Sequence, residues 1–316
     1  MPKVKARLIK SALTAARRIP LGFAVGPDRS KDSTQRVGIL RKTIRFVIFA
    51  NLQKTHKKYV LIGGRIIALV NDDDVSLRAF VFGNYEVQTL SDIQELTRRR
   101  YSLFVDVGAN IGLSTIAASQ IGLADAFIAI EPVPENYRLL EMNLQLNDVR
   151  HCATHLAAVS DKAGVVTMEI ARADSGDHRV RTSQNFRMLG RAGELRNESQ
   201  RETMDVSSLS LDQLLPRQLG VLIKIDVQGH ESFVLEGARQ LIQVCHPDLL
   251  VEFWPYGLNR AGGISSIVEL GRAYGSIYDL DRRCEVTPKW LEEMFRAHTS
   301  DLWFTNLLFS KRLENI

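Results

Sequence analysis

From Leu103 to Phe309 the chain alternates short, nearly unbroken apolar runs with longer stretches whose apolar residues recur at helical spacing. The first kind suits strands buried on both faces, the second helices packed along one side. Such alternation predicts a doubly wound α/β sheet. Strand one is expected at Leu103–Val107, with its helix at Leu113–Gln120. Strand two is Ala126–Ile130, and Pro134 suits the first turn of a helix running to about Leu146. Strand three is Cys152–Leu156, and Val165–Ile170 reads as an extra strand after the turn Asp161-Lys162-Ala163-Gly164. Ser210-Leu211-Asp212 opens a short helix. Strand four, Val221–Val227, is apolar except for Lys224 and Asp226; a helix over Ser232–Val244 and strand five at Leu249–Phe253 follow. A helix over Gly263–Tyr274 precedes two last strands, Gly275–Leu280 and Leu302–Phe309, with Pro288–Ala297 helical between them. Residues 172–204 are polar and rich in Arg, Ser and Gln, too long for an ordinary connection, and are expected to be a substrate loop or disordered.

Ahead of this core, the pattern gives an N-terminal helical and hairpin extension, so residues 1–100 are read as one region and 101–316 as another. Residues 1–20 alternate Lys/Arg with apolar residues, and Leu8, Leu13 and Ala16 share a helical face. Lys42–Leu52 reads as a helix, and Lys58–Val70 as a hairpin around Gly63-Gly64. Asp72-Asp73-Asp74 lacks the spacing of a calcium loop and reads as a solvated turn. Helical periodicity resumes at Ser91. Elements before strand one often lid the pocket in this fold class, which makes Tyr85 and Glu86 candidates for a lid; a surface turn is the plainer reading.

The connection after strand one carries the chemistry. Asp106 ends the apolar run, Gly108-Ala109-Asn110-Ile111-Gly112 makes the turn into the helix, and Glu131-Pro132 closes strand two. Glycines let backbone N–H groups approach a ligand, and the helix start favours a carboxylate or other anion. An acid at the end of strand two can hold both hydroxyls of a ribose. A dinucleotide turn would read Gly-x-Gly-x-x-Gly, but Asn110 stands at the middle glycine, and no Gly-Lys-Ser/Thr follows to cradle a triphosphate. Asp106 would repel phosphates yet suit an ammonium. S-adenosylmethionine offers an ammonium, a carboxylate and a ribose without phosphate, and it fits these charges best.

Val105-Asp106-Val107-Gly108-Ala109-Asn110-Ile111-Gly112, Glu131-Pro132 with Asn143 to Asn147 on the next helix, and Lys224-Ile225-Asp226-Val227-Gln228-Gly229-His230-Glu231 together resemble the FkbM family of S-adenosylmethionine-dependent methyltransferases, from about Tyr101 to about Phe309. The commoner family form has Glu where Gln228 stands. The resemblance implies a Rossmann-like class I methyltransferase with a mostly parallel seven-stranded sheet and helices on both faces. It also implies methyl transfer to a hydroxyl of a sugar or natural product.

On this reading Asp106, Gly108, Ala109, Asn110 and Gly112 hold the methionine end, Glu131 the ribose, and Pro132 with Ala157-Ala158 the adenine. Asp226 and His230 face the acceptor as candidate catalytic residues. Removing the acceptor's proton as the bond forms is an effect of roughly 10²–10⁴-fold. A helix start disfavours protonated His and would keep His230 neutral. His230 has a structural alternative, as a helix cap or a partner of Glu252, and Asp226 an alternative as an orienting carboxylate. Glu231 reads as stabilising the first helical turn, and Lys224 as an ion-pair partner of a neighbouring acid such as Glu252. Phe253-Trp254-Pro255-Tyr256 suits stacking on a ring or core packing. Asp226, His230, Glu231 and Glu252 have no fixed metal-ligand spacing, so no metal is expected.

Three rival classes remain open. An NAD-dependent oxidoreductase or epimerase is opposed by Asn110 and Asp106. A non-catalytic binding protein is opposed by the intact Asp226 and His230. A methyltransferase for planar nitrogen would carry Asn/Asp-Pro-Pro-Tyr/Phe after strand four, where Asp226-Val227-Gln228-Gly229 stands.

Charge and cysteines bear on location and partners. Residues 1–55 hold thirteen Lys/Arg and two acids, a net of +11, which leaves about −6 for the rest against +5 for the whole chain. The core is therefore mildly acidic, against a nucleic-acid face. The basic front suits a solvated or loosely docked helix, or weak contact with anionic membrane. The three scattered cysteines point to a reducing compartment, and the cytoplasm is expected. No apolar run reaches the roughly 20 residues a bilayer needs. The partner is a small-molecule hydroxyl acceptor.

Overall fold

The computed structural model describes residues 59–62, 66–69, 86–171, 175–182, 201–300 and 302–311. Contacts divide the chain into Met1–Tyr85 and Glu86–Ile316. In the first unit, β1 (Tyr59–Ile62) pairs antiparallel with β2 (Ile66–Leu69), from Tyr59↔Leu69 to Ile62↔Ile66, which is the expected hairpin. The expected helices near residues 1–20 and 42–52, the triple acid and Tyr85 lie outside the described residues.

The second unit opens with α1 (Val87–Thr97), β3 (Tyr101–Val107), α2 (Leu113–Gln120), β4 (Ala124–Ile130), α3 (Pro134–Leu146) and β5 (Cys152–His155). Then come β6 (Ala158–Val159), β7 (Gly164–Ile170), a 3-10 turn at Ser175–Asp177, β8 (Arg179–Val180), β9 (Glu202–Leu209) and α4 (Leu211–Leu214). Next are β10 (Val221–Ile225), α5 (Glu231–Glu236), α6 (Arg239–Cys245), β11 (Asp248–Phe253), α7 (Pro255–Arg260) and α8 (Ser265–Tyr274). The last elements are β12 (Ile277–Asp279), β13 (Cys284–Val286), α9 (Pro288–Ala297) and β14 (Thr305–Phe309).

The main sheet runs β13-β12-β14-β11-β10-β3-β4-β5. β5, β4, β3, β10 and β11 are mutually parallel, while β14 is antiparallel to both β11 and β12. Strand order reverses between β3 and β10, and an open sheet binds its ligand beyond the carboxyl ends at such a switch point. The interior strands bury apolar side chains on both faces: Val105, Val107, Ile223, Ile225, Val251 and Leu307 on one, and Phe104, Leu222, Leu250 and Leu308 on the other. Each such burial contributes about 1.5–3 kcal/mol.

Several elements differ from the pattern-based expectation. The main sheet has an eighth strand, β13, because Asp281–Arg283 turns the chain back on β12. A second sheet, β6-β9-β7-β8, takes up the extra strand and part of the segment expected to be a loop. Arg179–Val180 pairs with Met168 and Glu169, and Glu202–Met204 pairs with Met168–Ile170. α1 begins at Val87 rather than Ser91. The helix expected over Ser232–Val244 is two helices, broken at Gly237-Ala238. A Cβ on Gly237 would lie 2.1 Å from the carbonyl oxygen of Ser160, so the break is where the backbone of the smaller sheet comes in. Among the described residues no helix is long and apolar enough to cross a membrane.

Candidate active site

The turn from β3 into α2 is held from three sides. Gly108, Asn110 and Gly112 all have positive φ, at 82, 50 and 89°. Gly112 packs on Leu140 of α3, where a Cβ would meet Leu140 Cδ1 at 2.6 Å. From the same helix the buried Asn143 donates through Nδ2 to the Ile111 carbonyl at 2.8 Å. Glu131 accepts from the Asn110 amide at 2.9 Å on one oxygen and from the Val133 amide at 3.0 Å on the other. Burial pushes its carboxyl up to about 7, against the pull of those two N–H groups and of Asn136.

Asp106 was expected to end strand one, as Glu131 closes strand two. Asp106 instead lies one pleat deeper, paired with Lys224 and Ala129 within the sheet and fully buried. Thr115 Oγ1 donates to its Oδ2 at 2.7 Å, which ties β3 to α2. Its Oδ1 has no hydrogen bond among the described residues, and the Lys224 ammonium stands 3.7 Å away. Burial raises the Asp106 carboxyl above the usual range, opposed first by Lys224 and then by Thr115.

Lys224 is the hub. Its Nζ lies 3.2 Å from Asp226 Oδ2 and 3.8 Å from Glu86 Oε1, in addition to Asp106. The expected ion pair is thus shared among three carboxylates. Glu86, expected as a lid or surface turn, accepts a hydrogen bond from Ser114 Oγ at the start of α2. Burial raises its carboxyl too, with Lys224 opposing.

Beyond β10, Asp226 is part-exposed, and Gln228 Nε2 joins its Oδ1 to Glu252 Oε2, both at 3.0 Å. The turn is closed from below by Glu231, whose Oε1 accepts from the Val227 and Gly229 amides, both at 3.1 Å. Fully buried, Glu231 titrates at about 7, so it does more than stabilise a first helical turn: it shapes the backbone that presents Asp226. An acid just past a Gly turn was the signal for it.

His230 belongs to a different network from Asp226. It is 6% exposed and stacks on Phe233 at 4.5 Å. Its Nε2 lies 3.0 Å from Ser160 Oγ, which itself donates to Asp161 Oδ1 at 3.0 Å. A hydroxyl has one proton to give, so Nε2 carries the ring proton and Nδ1 a lone pair without a partner among the described residues. Burial lowers the imidazole to about 4, with Asp161 opposing. It is the N-cap residue of α5 but makes no side-chain cap bond, and Ser160 takes the place expected for Glu252. Ser160 carries no sequence signal for this contact.

Pro132 is half-buried. Ala157 and Ala158 are buried, and Ala158 packs with Val133, Met168 and Val206. Phe253, Trp254 and Tyr256 are buried in packing rather than offered to a ring. Among the described residues no group of three His, Cys, Asp or Glu side chains is arranged to hold a metal ion.

The strand order, the glycine turn at the switch point and the acid after β4 define a Rossmann-like class I methyltransferase fold. The sequence model of the methyltransferase FkbM domain matches residues 106–282, over half of the chain, and the chain belongs to the FkbM methyltransferase family, whose methyl donor is S-adenosylmethionine. It is similar to the crystal structure of methyltransferase FkbM from Methylobacillus flagellatus KT at 16% identity and a TM-score of 0.37, covering 85% of this chain and 62% of that one. This chain therefore spans less than two thirds of that relative's length. An O-methyltransferase from Bacillus cereus in complex with SAH is similar at 13% identity and TM-score 0.37, covering 89% and 93%. A putative O-methyltransferase from Klebsiella pneumoniae is similar at 13% identity and TM-score 0.38, covering 72% and 80%. No curated protein matches the chain.

The residues present fit that donor. Glu86, Asp106 and Asp226 place three carboxylates within 4 Å of one ammonium, leaving negative charge for a cationic ligand. Asp106 Oδ1 is a buried acceptor without a hydrogen-bond donor among the described residues.

Proposed function

We propose that the protein is an S-adenosylmethionine-dependent O-methyltransferase, of the class that transfers methyl groups, acting on a hydroxyl of a small sugar or natural-product acceptor. Asp106, Gly108, Ala109, Asn110 and Gly112 would hold the methionine end, Glu131 the ribose, and Pro132 with Ala157 and Ala158 the adenine. Bound there, the cofactor supplies a methyl group already activated on a sulfonium.

The observation that carries the oxygen-directed reading is Asp226. It is a part-exposed carboxylate at the carboxyl end of β10, and its backbone touches Gly108 of the cofactor turn. A carboxylate there accepts the acceptor's hydroxyl proton as the methyl arrives and holds the oxygen in line. His230, enclosed and kept neutral, is the weaker base. The turn Asp226-Val227-Gln228-Gly229 offers none of the stacking that a planar amine needs.

Residues 1–100 are read as an extension to this catalytic region. The free thiols of Cys152, Cys245 and Cys284 support a cytoplasmic setting.

Calorimetric titration with S-adenosylhomocysteine tests the cofactor site. Micromolar binding by wild type, lost in Asp106→Ala and Glu131→Ala, is the expected result. Folded wild type that binds none would overturn the reading.

A further inference from the structure

Gln228 stands at φ 54°, in the left-handed region, between Asp226 and the Gly229 that packs on Gly257. It uses one nitrogen to donate to two carboxylates, Asp226 Oδ1 and Glu252 Oε2, each at 3.0 Å. Those acids follow or end adjacent parallel strands, β10 and β11. Like charges on neighbouring strands repel, and two carboxylates sharing a site ordinarily share a proton or a cation. An amide NH₂ has two protons and no net charge, so it can give one to each acid. A carboxylate at position 228 would have neither proton to give.

We propose that Gln228 is a positioning residue that occupies the place a cation would take between Asp226 and Glu252, fixing both carboxylates at the acceptor side of the turn. The inference rests on the reading of Asp226 as the acceptor-side acid. Asp226 then has an ammonium on one oxygen, from Lys224, and an amide on the other, so its orientation is set from two directions. The other ionisable groups around it are Glu86 and Asp106, which share Lys224, Glu252 on β11 and Glu231 on α5. With so many acids near, a neutral donor holds the pair together without adding charge. Gln228 also ties the ends of β10 and β11, so it keeps the two acids at a set separation.

Two variants separate this role from packing. Gln228→Glu replaces the donor with a third carboxylate. Titrated with MgCl₂, CaCl₂ and MnCl₂ by calorimetry, it should bind at least one of these cations ten-fold or more tighter than wild type. Gln228→Met keeps the length of the side chain and removes both protons. Its Tm deficit against wild type should be smaller at pH 4 than at pH 8, because two carboxylates repel only when both are ionised. Equal cation affinity in wild type and Gln228→Glu overturns the proposal. So does a Tm deficit of Gln228→Met that is the same at both pH values, which is the signature of packing alone and is readable even if Gln228→Glu does not fold. Neither readout needs methyl transfer. S-adenosylhomocysteine titrated into wild type alongside reports separately on the cofactor site.

Discussion

The carbonyl oxygen of Asp226 occupies the space that a side chain at Gly108 would need: a Cβ built on Gly108 would lie 1.9 Å from it. The Gly108 turn and the Asp226 turn are therefore in backbone contact, and Asp226 N also bonds to the Val107 carbonyl at 3.1 Å. Gly108→Ala has to part β3 from β10 at the switch point and hold φ at +82°, where an alanine is strained. The expected cost is about 2–4 kcal/mol of stability. Binding of S-adenosylhomocysteine should be lost with it. Thermal unfolding and calorimetry on the same sample check this, and an unchanged Tm would refute the close approach.

His230 makes the fold sensitive to acid. Its folded value of about 4 lies below the 6.5 of an unfolded histidine, so the unfolded chain takes up the proton first. Stability is unaffected above pH 6.5 and is lost progressively as pH falls from there to about 4, by on the order of 3 kcal/mol. His230→Gln keeps an amide for Ser160 and cannot take up a proton. Its urea midpoint should fall less than that of wild type between pH 7 and pH 4. Parallel curves for the two proteins would show that the imidazole is not held neutral by burial.

How much of this was legible in the chain follows from what is local. Gly108, Asn110 and Gly112 announced themselves because a strand must turn into a helix within a few residues, and only such residues take the positive φ the turn needs. Glu131 was legible because it follows an apolar run. Asp106 was found but placed too high, since strand register rather than spacing sets its depth beneath Asp226. Lys224 was visible as a charge in an apolar strand, yet one of its acids, Glu86, comes from before α1, and no spacing encodes that. His230 and Ser160 meet only because β6 and α5 pack together. Of the smaller sheet only Val165–Ile170 was legible. β6 and β8 are two residues each, and β9 begins with exposed Glu202, Thr203, Met204 and Asp205, which show no buried face.

Glu131 links cofactor binding to pH if it holds the ribose. Its carboxyl, raised to about 7 by burial, is half-protonated at neutral pH, and a protonated acid has lost half its capacity to accept from two hydroxyls. Two hydroxyl donors favour the ionised form, so binding expels a proton and tightens as pH rises through 7. Affinity for S-adenosylhomocysteine should rise about ten-fold from pH 6 to pH 8. Glu131→Gln should bind more weakly at pH 8 and show a flat profile over the same range. A wild-type profile as flat as that of the variant would remove Glu131 from the ribose.

Asp226 and Lys224 should separate in kinetics. Asp226→Asn keeps the size of the side chain and its bond to Gln228 through the remaining oxygen, but it loses the capacity to accept a proton. If Asp226 takes the proton of the acceptor hydroxyl, kcat should fall by about 10²–10⁴-fold, while the affinity for S-adenosylhomocysteine stays within a few-fold of wild type. Lys224→Met removes the cation from among Glu86, Asp106 and Asp226, leaving three carboxylates that repel. That change should cost about 3–5 kcal/mol of stability and weaken the cofactor site together with turnover. The pair of variants is informative because the two side chains are only 3.2 Å apart. An Asp226→Asn protein that retains turnover would move the base to His230, and His230→Gln would then carry the kinetic loss.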